Sequence, residues 1–225
     1  MGNHYHKVSR DGKFPGKVEA RNPAILFQSE LFIAVDKPAG WLSIPGRGSL
    51  PVIHDWAQTQ VGKLWVVHRL DRDTSGVLLF ARDADSHRSA SIWFENHQVK
   101  KSYDFVAQGT PRAPVFKSAE PIEGAASLTQ FEVKEKWAQA FLGKARPTSG
   151  RRHQIRIHLS KLGFPILGDT EYGGSSRFES LSFTRVALHA ASLELPTGEK
   201  IESPWHPDFK QWILDLRSQR SGEDS

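Results

Sequence analysis

His68-Arg69-Leu70-Asp71-Arg72-Asp73-Thr74-Ser75-Gly76 runs directly into Val77-Leu78-Leu79-Phe80-Ala81. The second stretch is short, continuously apolar and bounded by turn residues, so it reads as a strand buried on both faces. The first reads as a charged loop delivering the chain into that strand. A carboxylate between two arginines beside a buried strand is unusual for a core loop. Two readings stand at this point. Asp71 is a reactive carboxylate, or the segment is a surface loop of ion pairs, with Arg69 on Asp73, each worth about 0–1 kcal/mol. Spacing alone does not choose between them.

Working outward, Leu31 to Val35 is a β-type run that ends at the turn signal Asp36-Lys37-Pro38-Ala39-Gly40. Ser102–Gln108, Leu128–Trp137, Ala140–Arg146 and Arg185–Leu195 read as further strands. A helix follows Asp85 or Ser86 as N-cap. The clearest helix is Arg152–Leu162, where Ile155, His158, Leu159 and Leu162 recur at helical spacing and Gly163 occupies the capping position. On that spacing Arg152 and Arg156 share a face. A last amphipathic helix uses Phe209, Trp212, Ile213 and Leu216. Strands outnumber helices and do not alternate with them, so the fold class is α+β: one domain on a mainly antiparallel sheet. Residues 1–22 read as an arm, 23–218 as the domain, and 219–225 as a flexible tail.

The chain has 225 residues, enough for one large domain or two small ones. It contains no cysteine, which excludes disulfides, thiolate metal sites and cysteine nucleophiles. No apolar run approaches the ~20 residues of a membrane span, and the N-terminus does not read as a signal peptide, so a cytoplasmic protein is expected. The net charge is +5. Lys144, Arg146, Arg151, Arg152, Arg156 and Lys161 fall in one segment free of acidic residues, while the remainder carries 24 basic against 25 acidic residues. That concentration suggests a local anionic partner such as a phosphate backbone, or else a solvated helix face.

Five blocks in order then carry a resemblance. They are Asp36-Lys37-Pro38-x-Gly40; His68-Arg69-Leu70-Asp71-x-x-Thr74-Ser75-Gly76; and Lys101-x-Tyr103-x-x-Val106 with Gly109 one residue late. Next come Gly150-Arg151-x-His153-Gln154-Ile155-Arg156-x-His158-Leu159, continued by Gly163 to Gly173, and finally Leu188-His189-Ala190. Together they resemble the RNA pseudouridine synthases that modify bacterial ribosomal and transfer RNA. Arg152 departs from the family's usual Thr or Ser, and the 110–126 connection is short. The stretch before the first block is too short for the small RNA-binding domain many relatives carry. The departures leave the RNA target open.

The resemblance implies a mixed, mainly antiparallel sheet with an RNA-binding cleft, isomerisation of uridine to pseudouridine, and no cofactor or metal. It implies that Asp71 is the catalytic carboxylate, attacking the anomeric carbon or removing the 2′ proton. Arg156 is then the guanidinium in contact with it, holding it ionised against burial, and Tyr103 lies against the base and assists proton removal at carbon 5. Arg69 fills the space left by the flipped base, and His68, Gln154 and Leu188 complete the substrate site. Lys37, Arg151 and Arg152 are expected on phosphates, with a monomer acting on ribosomal or transfer RNA. The rival is a non-catalytic RNA-binding or RNA-folding protein on the same scaffold. Other features read as structural. His153 and His158 are five apart and do not make a metal pair, and most of the seven tryptophans read as core, Trp41 being the best stacking candidate. His4 and His6 imply no function.

Overall fold

The computed structural model describes residues 22–46 and 48–220, so most of the expected arm, with His4 and His6, and residues 221–225 lie outside it. The chain starts with β1 (Ala24–Gln28) and β2 (Phe32–Lys37), then α1 (Ile53–Val61), β3 (Trp65–Val66) and β4 (Ser75–Ala81). Helix α2 (Ala84–Glu95) precedes β5 (Lys100–Gln108), β6 (Val115–Ser118), β7 (Thr129–Lys136) and β8 (Ala140–Pro147). Helix α3 (Gln154–Lys161), the hairpin β9 (Arg177–Phe178) and β10 (Leu181–Ser182), β11 (Leu188–Glu194), β12 (Lys200–Glu202) and α4 (Pro207–Arg220) complete it.

The large sheet runs β1-β2-β4-β11-β5-β8-β7-β6, with β12 beside β11 and β3 beside β4. Among the strands of the described residues only β4 and β11 pair in parallel, through His189 with Ser75 and Ala190 with Gly76. The sheet is therefore mixed and mainly antiparallel. Every residue of β2 and β4 is buried, the apolar runs Phe32–Val35 and Val77–Ala81 together with the polar Asp36, Lys37 and Ser75 beside them. Complete burial of side chains such as Leu78 or Phe80 stabilises the fold by about 1.5–3 kcal/mol each. Gly76 makes the parallel crossing feasible: at φ 114° it lies so close to β11 that a Cβ would stand 2.2 Å from the Ala190 carbonyl oxygen.

Two core clusters flank this centre. One gathers β5, β7, β8, α3 and α4 around Phe105, Phe131, Phe141 and Phe209. The other gathers β2, β4, α1 and α2 around Ile33, Val35, Leu79 and Phe80. Tyr103 packs against both, so the middle of β5 marks their seam.

Several boundaries differ from expectation. Helix α2 is capped by Asp83, not Asp85 or Ser86, because its carboxylate accepts from the backbone N–H groups of Asp85 and Ser86. Helix α3 begins at Gln154, after His153 in the left-handed region, which leaves Arg152 outside the helix. Gly163 at φ 80° caps it as expected, with Phe164 N–H on the Leu159 carbonyl at 2.8 Å. Helix α4 extends to Arg220, taking in the first residues of the expected tail.

Candidate active site

The loop from His68 to Thr74 is held by its backbone from several directions. Lys37 Nζ donates to the carbonyls of Pro38, Arg72 and Thr74 at 2.8–2.9 Å. Gly40 N–H donates to Arg72 O at 2.9 Å. Ser43 Oγ donates to Leu70 O and accepts from Leu70 N–H. Arg185, bound through two hydrogen bonds to Asp208 of α4, also donates to Asp73 O and Leu188 O. These bonds leave the Asp71 side chain free to turn outward, 30% exposed.

Asp71 faces a cavity of about 550 Å³ on the seam between the two cores. Tyr103 and Lys101 come from β5, Leu188 from β11, Ile155 and Arg156 from α3, Arg69 from the Asp71 loop, and Phe94 and His97 from the end of α2 and the residues after it. Burial, with the charge of Asp71 in support, raises the Tyr103 phenol well above its ordinary pKa. At neutral pH it is therefore a neutral surface for a base to lie on, and a proton donor before it is an acceptor. His68 stacks on Phe94 at 4.6 Å between ring centres. Its Nε2 accepts from Leu79 N–H at 2.9 Å, and burial lowers its pKa to about 3, so the imidazole is neutral and forms a rigid aromatic wall.

Two expected phosphate or substrate ligands are instead internal. Lys37 is wholly buried, and three carbonyls occupy its three N–H bonds, so it has no donor left for a phosphate. Burial, reinforced by Arg185, lowers its pKa to about 7. Gln154 is likewise committed. Its Oε1 accepts from Ser149 Oγ and Arg151 N–H, and its Nε2 donates to Leu128 O and Thr129 Oγ1. It lines the cavity wall but fixes the turn between β8 and α3.

The expected contact between Arg156 and Asp71 is also absent. The guanidinium donates to both carboxylate oxygens of Asp169 at 2.7 and 2.6 Å and to Glu171 at 2.9 Å. Burial opposes its charge, but these two carboxylates outweigh burial and hold it protonated, with Asp71 adding only a nearby negative charge. Among the described residues the side chain within ion-pair distance of the Asp71 carboxylate is His153, whose Nε2 lies 3.7 Å from Oδ1. His153 Nδ1 and the Tyr172 hydroxyl are 2.9 Å apart, and its backbone is left-handed at φ 54°. Residues held in this region concentrate at functional sites.

The basic segment is similarly taken up by partners. Lys144 pairs with Asp104, Arg146 with Glu132 and Lys161 with Glu120. Arg151 is exposed at the cavity rim and Arg152 at a smaller neighbouring pocket that shares Asp71, His153 and Arg156; neither makes an ion pair among the described residues. Arg69 is exposed too, and the partner proposed for it from sequence, Asp73, is bonded to Arg72 instead. Trp41 packs on the second core and does not line the cavity.

Sequence reasoning missed His153, Lys101, Tyr172 and Arg185 as contributors. His153, Lys101 and Tyr172 occupy the same blocks as the residues it named, but only three-dimensional placement separates them from their neighbours. Among the described residues no cluster of three His, Asp or Glu side chains is arranged for a metal ion, and no helix is long and apolar enough to cross a membrane.

Comparison with known proteins accounts for this arrangement. Residues 31–161 match the family model for RNA pseudouridylate synthase. Ribosomal large subunit pseudouridine synthase C of Pasteurella multocida (strain Pm70) is 35% identical, across 91% of this chain and 71% of that protein. Its namesake in Escherichia coli (strain K12) is 34% identical, across 91% and 73%. Among solved structures, Human RNA Pseudouridylate Synthase Domain Containing 1 superposes with a TM-score of 0.70 at 26% identity, covering 91% of this chain and 98% of that one. Human RNA Pseudouridylate Synthase Domain Containing 4 shares the fold, with a TM-score of 0.73 at 24% identity over 86% and 92%. The sheet, its central cleft and the ordered sequence blocks thus belong together, and the chain is a member of the RNA pseudouridylate synthase family, an isomerase of uridine in RNA.

Proposed function

We propose that this enzyme acts on large-subunit ribosomal RNA and that Asp71 is its catalytic carboxylate. The observation that carries the reading is the placement of Asp71: its backbone is clamped from several elements while its carboxylate faces the cavity beside the neutral ring of Tyr103. The ribosomal assignment follows the names of the relatives, which are large-subunit enzymes.

A uridine flipped out of the RNA enters with its ribose at Asp71 and its base over Tyr103, walled by Leu188 and Ile155. Asp71 attacks the anomeric carbon or takes the 2′ proton, and the bond to nitrogen 1 breaks. The base then turns and rejoins the sugar through carbon 5, which loses its proton. Arg156 is a positioning residue, fastening α3 to Asp169 and Glu171. Arg69 is the planar cation that occupies the vacated stack. Arg151 and Arg152 bind phosphates at the rim. Lys37 and Gln154 position loops, and His68 is a wall. We take residues 23–218 as the catalytic domain, acting as a cytoplasmic monomer, a state that sedimentation of the full chain measures.

Asp71→Asn retains folding and RNA affinity but forms no pseudouridine, read as tritium release from RNA labelled at carbon 5 of uracil. Normal turnover by that variant overturns the assignment and favours a binding protein on the same scaffold. Pseudouridine mapping of total RNA from cells lacking the gene identifies the target: a missing large-subunit site supports the reading, and loss of a transfer-RNA site alone contradicts it.

A further inference from the structure

Lys101 is a buried cation without a counter-charge. It is 9% exposed and lines the cavity, and its Nζ donates to the Ser149 carbonyl at 2.8 Å. No carboxylate among the described residues pairs with it, so two of its three N–H bonds have no protein acceptor there. Burial lowers its pKa to about 8. A buried ammonium is ordinarily paired, because its desolvation is otherwise uncompensated. An unpaired one in a reaction cavity implies that the ligand brings the negative charge.

The sheet register indicates which part of the ligand. Lys101 and Tyr103 are two residues apart on β5 and so project from the same face, roughly 6.5 Å apart. Tyr103 pairs with Ala190, while Lys101 pairs with Leu193. Because β4 runs parallel to β11 with Gly76 at Ala190, the residues before Ser75, including Asp71, lie toward the Leu188 end. Asp71, Tyr103 and Lys101 therefore follow one another along the cavity. With the ribose at Asp71 and the base over Tyr103, the edge opposite nitrogen 1 reaches toward Lys101. That edge carries the carbonyl oxygen of carbon 4.

We propose that Lys101 is a further catalytic residue, donating hydrogen bonds to a carbonyl oxygen of the uracil anion while the base is detached from the sugar. The inference rests on Asp71 being the catalytic carboxylate. As the glycosidic bond breaks, its electron pair stays with nitrogen 1 and spreads by conjugation onto the oxygens at carbons 2 and 4. The negative charge moves from Asp71, which becomes an ester or a protonated acid, to the base beside Lys101. Turning the ring about the line from nitrogen 3 to carbon 6 exchanges nitrogen 1 with carbon 5 and one carbonyl with the other. A fixed ammonium thus finds an oxygen both before and after the turn. When carbon 5 bonds to the sugar, Asp71 is released or returns its proton, carbon 5 loses a proton and nitrogen 1 gains one. Lys101 stays protonated throughout.

The test compares single-turnover consumption of uridine and of 5-fluorouridine at the target position. Lys101→Met should lower the rate on uridine by about 100-fold, the usual effect of removing a donor to a developing anion, with RNA affinity and its salt dependence unchanged. The loss should shrink at least about tenfold on 5-fluorouridine, whose fluorine itself stabilises the anion. Lys101→Gln keeps a donor for Ser149 but no charge, and should show the same substrate-dependent loss. Equal losses on both bases assign Lys101 to loop positioning and overturn the proposal. So does weakened binding with a salt slope reduced by about one, which marks a phosphate contact, and so do wild-type rates. Wild-type rates in the Lys101 variants beside an inactive Asp71→Asn overturn this inference alone, whereas an active Asp71→Asn removes the reading beneath it.

Discussion

Lys37 spends its whole hydrogen-bonding capacity on three backbone carbonyls, two of them within the loop that presents Asp71. Replacing it with methionine takes this donor from the Pro38 and Thr74 carbonyls and leaves Arg72 O with Gly40 N–H alone, so Lys37→Met should lose about 2–4 kcal/mol of stability. Catalytic rate should fall with it, because the carboxylate is no longer held in one place. RNA affinity should keep its full salt slope in a filter-binding titration; a slope smaller by about one would restore Lys37 to the phosphate contacts. The sequence block around Lys37 marked the residue as important but not why. Its acceptors lie up to 37 positions away, and a lysine that is completely desolvated looks the same on the page as one in water. Arg156 carries the same lesson. Its place in a motif signalled a role at the site, while its partners Asp169 and Glu171 came from a turn whose approach to α3 no periodicity reveals.

At the scale of elements, β4 and β11 hold the site together, and His189 is the bolt between them. Its Nδ1 is 2.9 Å from Ser75 Oγ, and its Nε2 is 3.1 Å from the Ser203 carbonyl. Facing a carbonyl, Nε2 carries the proton, and Nδ1 accepts from Ser75. Burial, helped by His206, lowers the pKa of His189 to about 4. The unfolded chain takes up that proton near the ordinary value of about 6.5. Stability from the neutral ring is therefore complete above pH 6.5 and lost as pH falls toward 4, to a maximum of roughly 3 kcal/mol. Urea unfolding at pH 7.5, 5.5 and 4.5 should show this decline, and His189→Gln should make it shallower, the remainder coming from the buried His68. The continuous or alternating apolar strands, β2, β4, β5, β7, β8 and β11, were legible from sequence because burial on a sheet face leaves a direct pattern. Helix α1 was not, since only Ile53 and Ala57 of its nine residues are buried and its N-cap offers no side-chain bond. The short edge strands β1 and β6 alternate too weakly to stand out from loop.

For the whole molecule, the concentration of positive charge in sequence disperses in space. Lys144, Arg146 and Lys161 each meet an acidic residue from another part of the chain, whereas Arg69 and Arg151 at the cavity and Arg152 at the pocket beside it are exposed and make no ion pair among the described residues. Arg151→Ala and Arg152→Ala should each reduce the slope of log affinity against log salt by about one. Lys144→Ala, Arg146→Ala and Lys161→Ala should leave it unchanged, and equal effects from all five would mean a diffuse basic face. The single parallel junction has a further consequence, for the order of events as the chain is made. Ser75 meets His189 across 114 positions, so the closing loop is long and this junction forms late. The loop with Asp71 leaves the ribosome well before Arg185 and Leu188, which complete its seat. A nascent chain therefore carries the Asp71 carboxylate without a pocket around it until β11 has been synthesised.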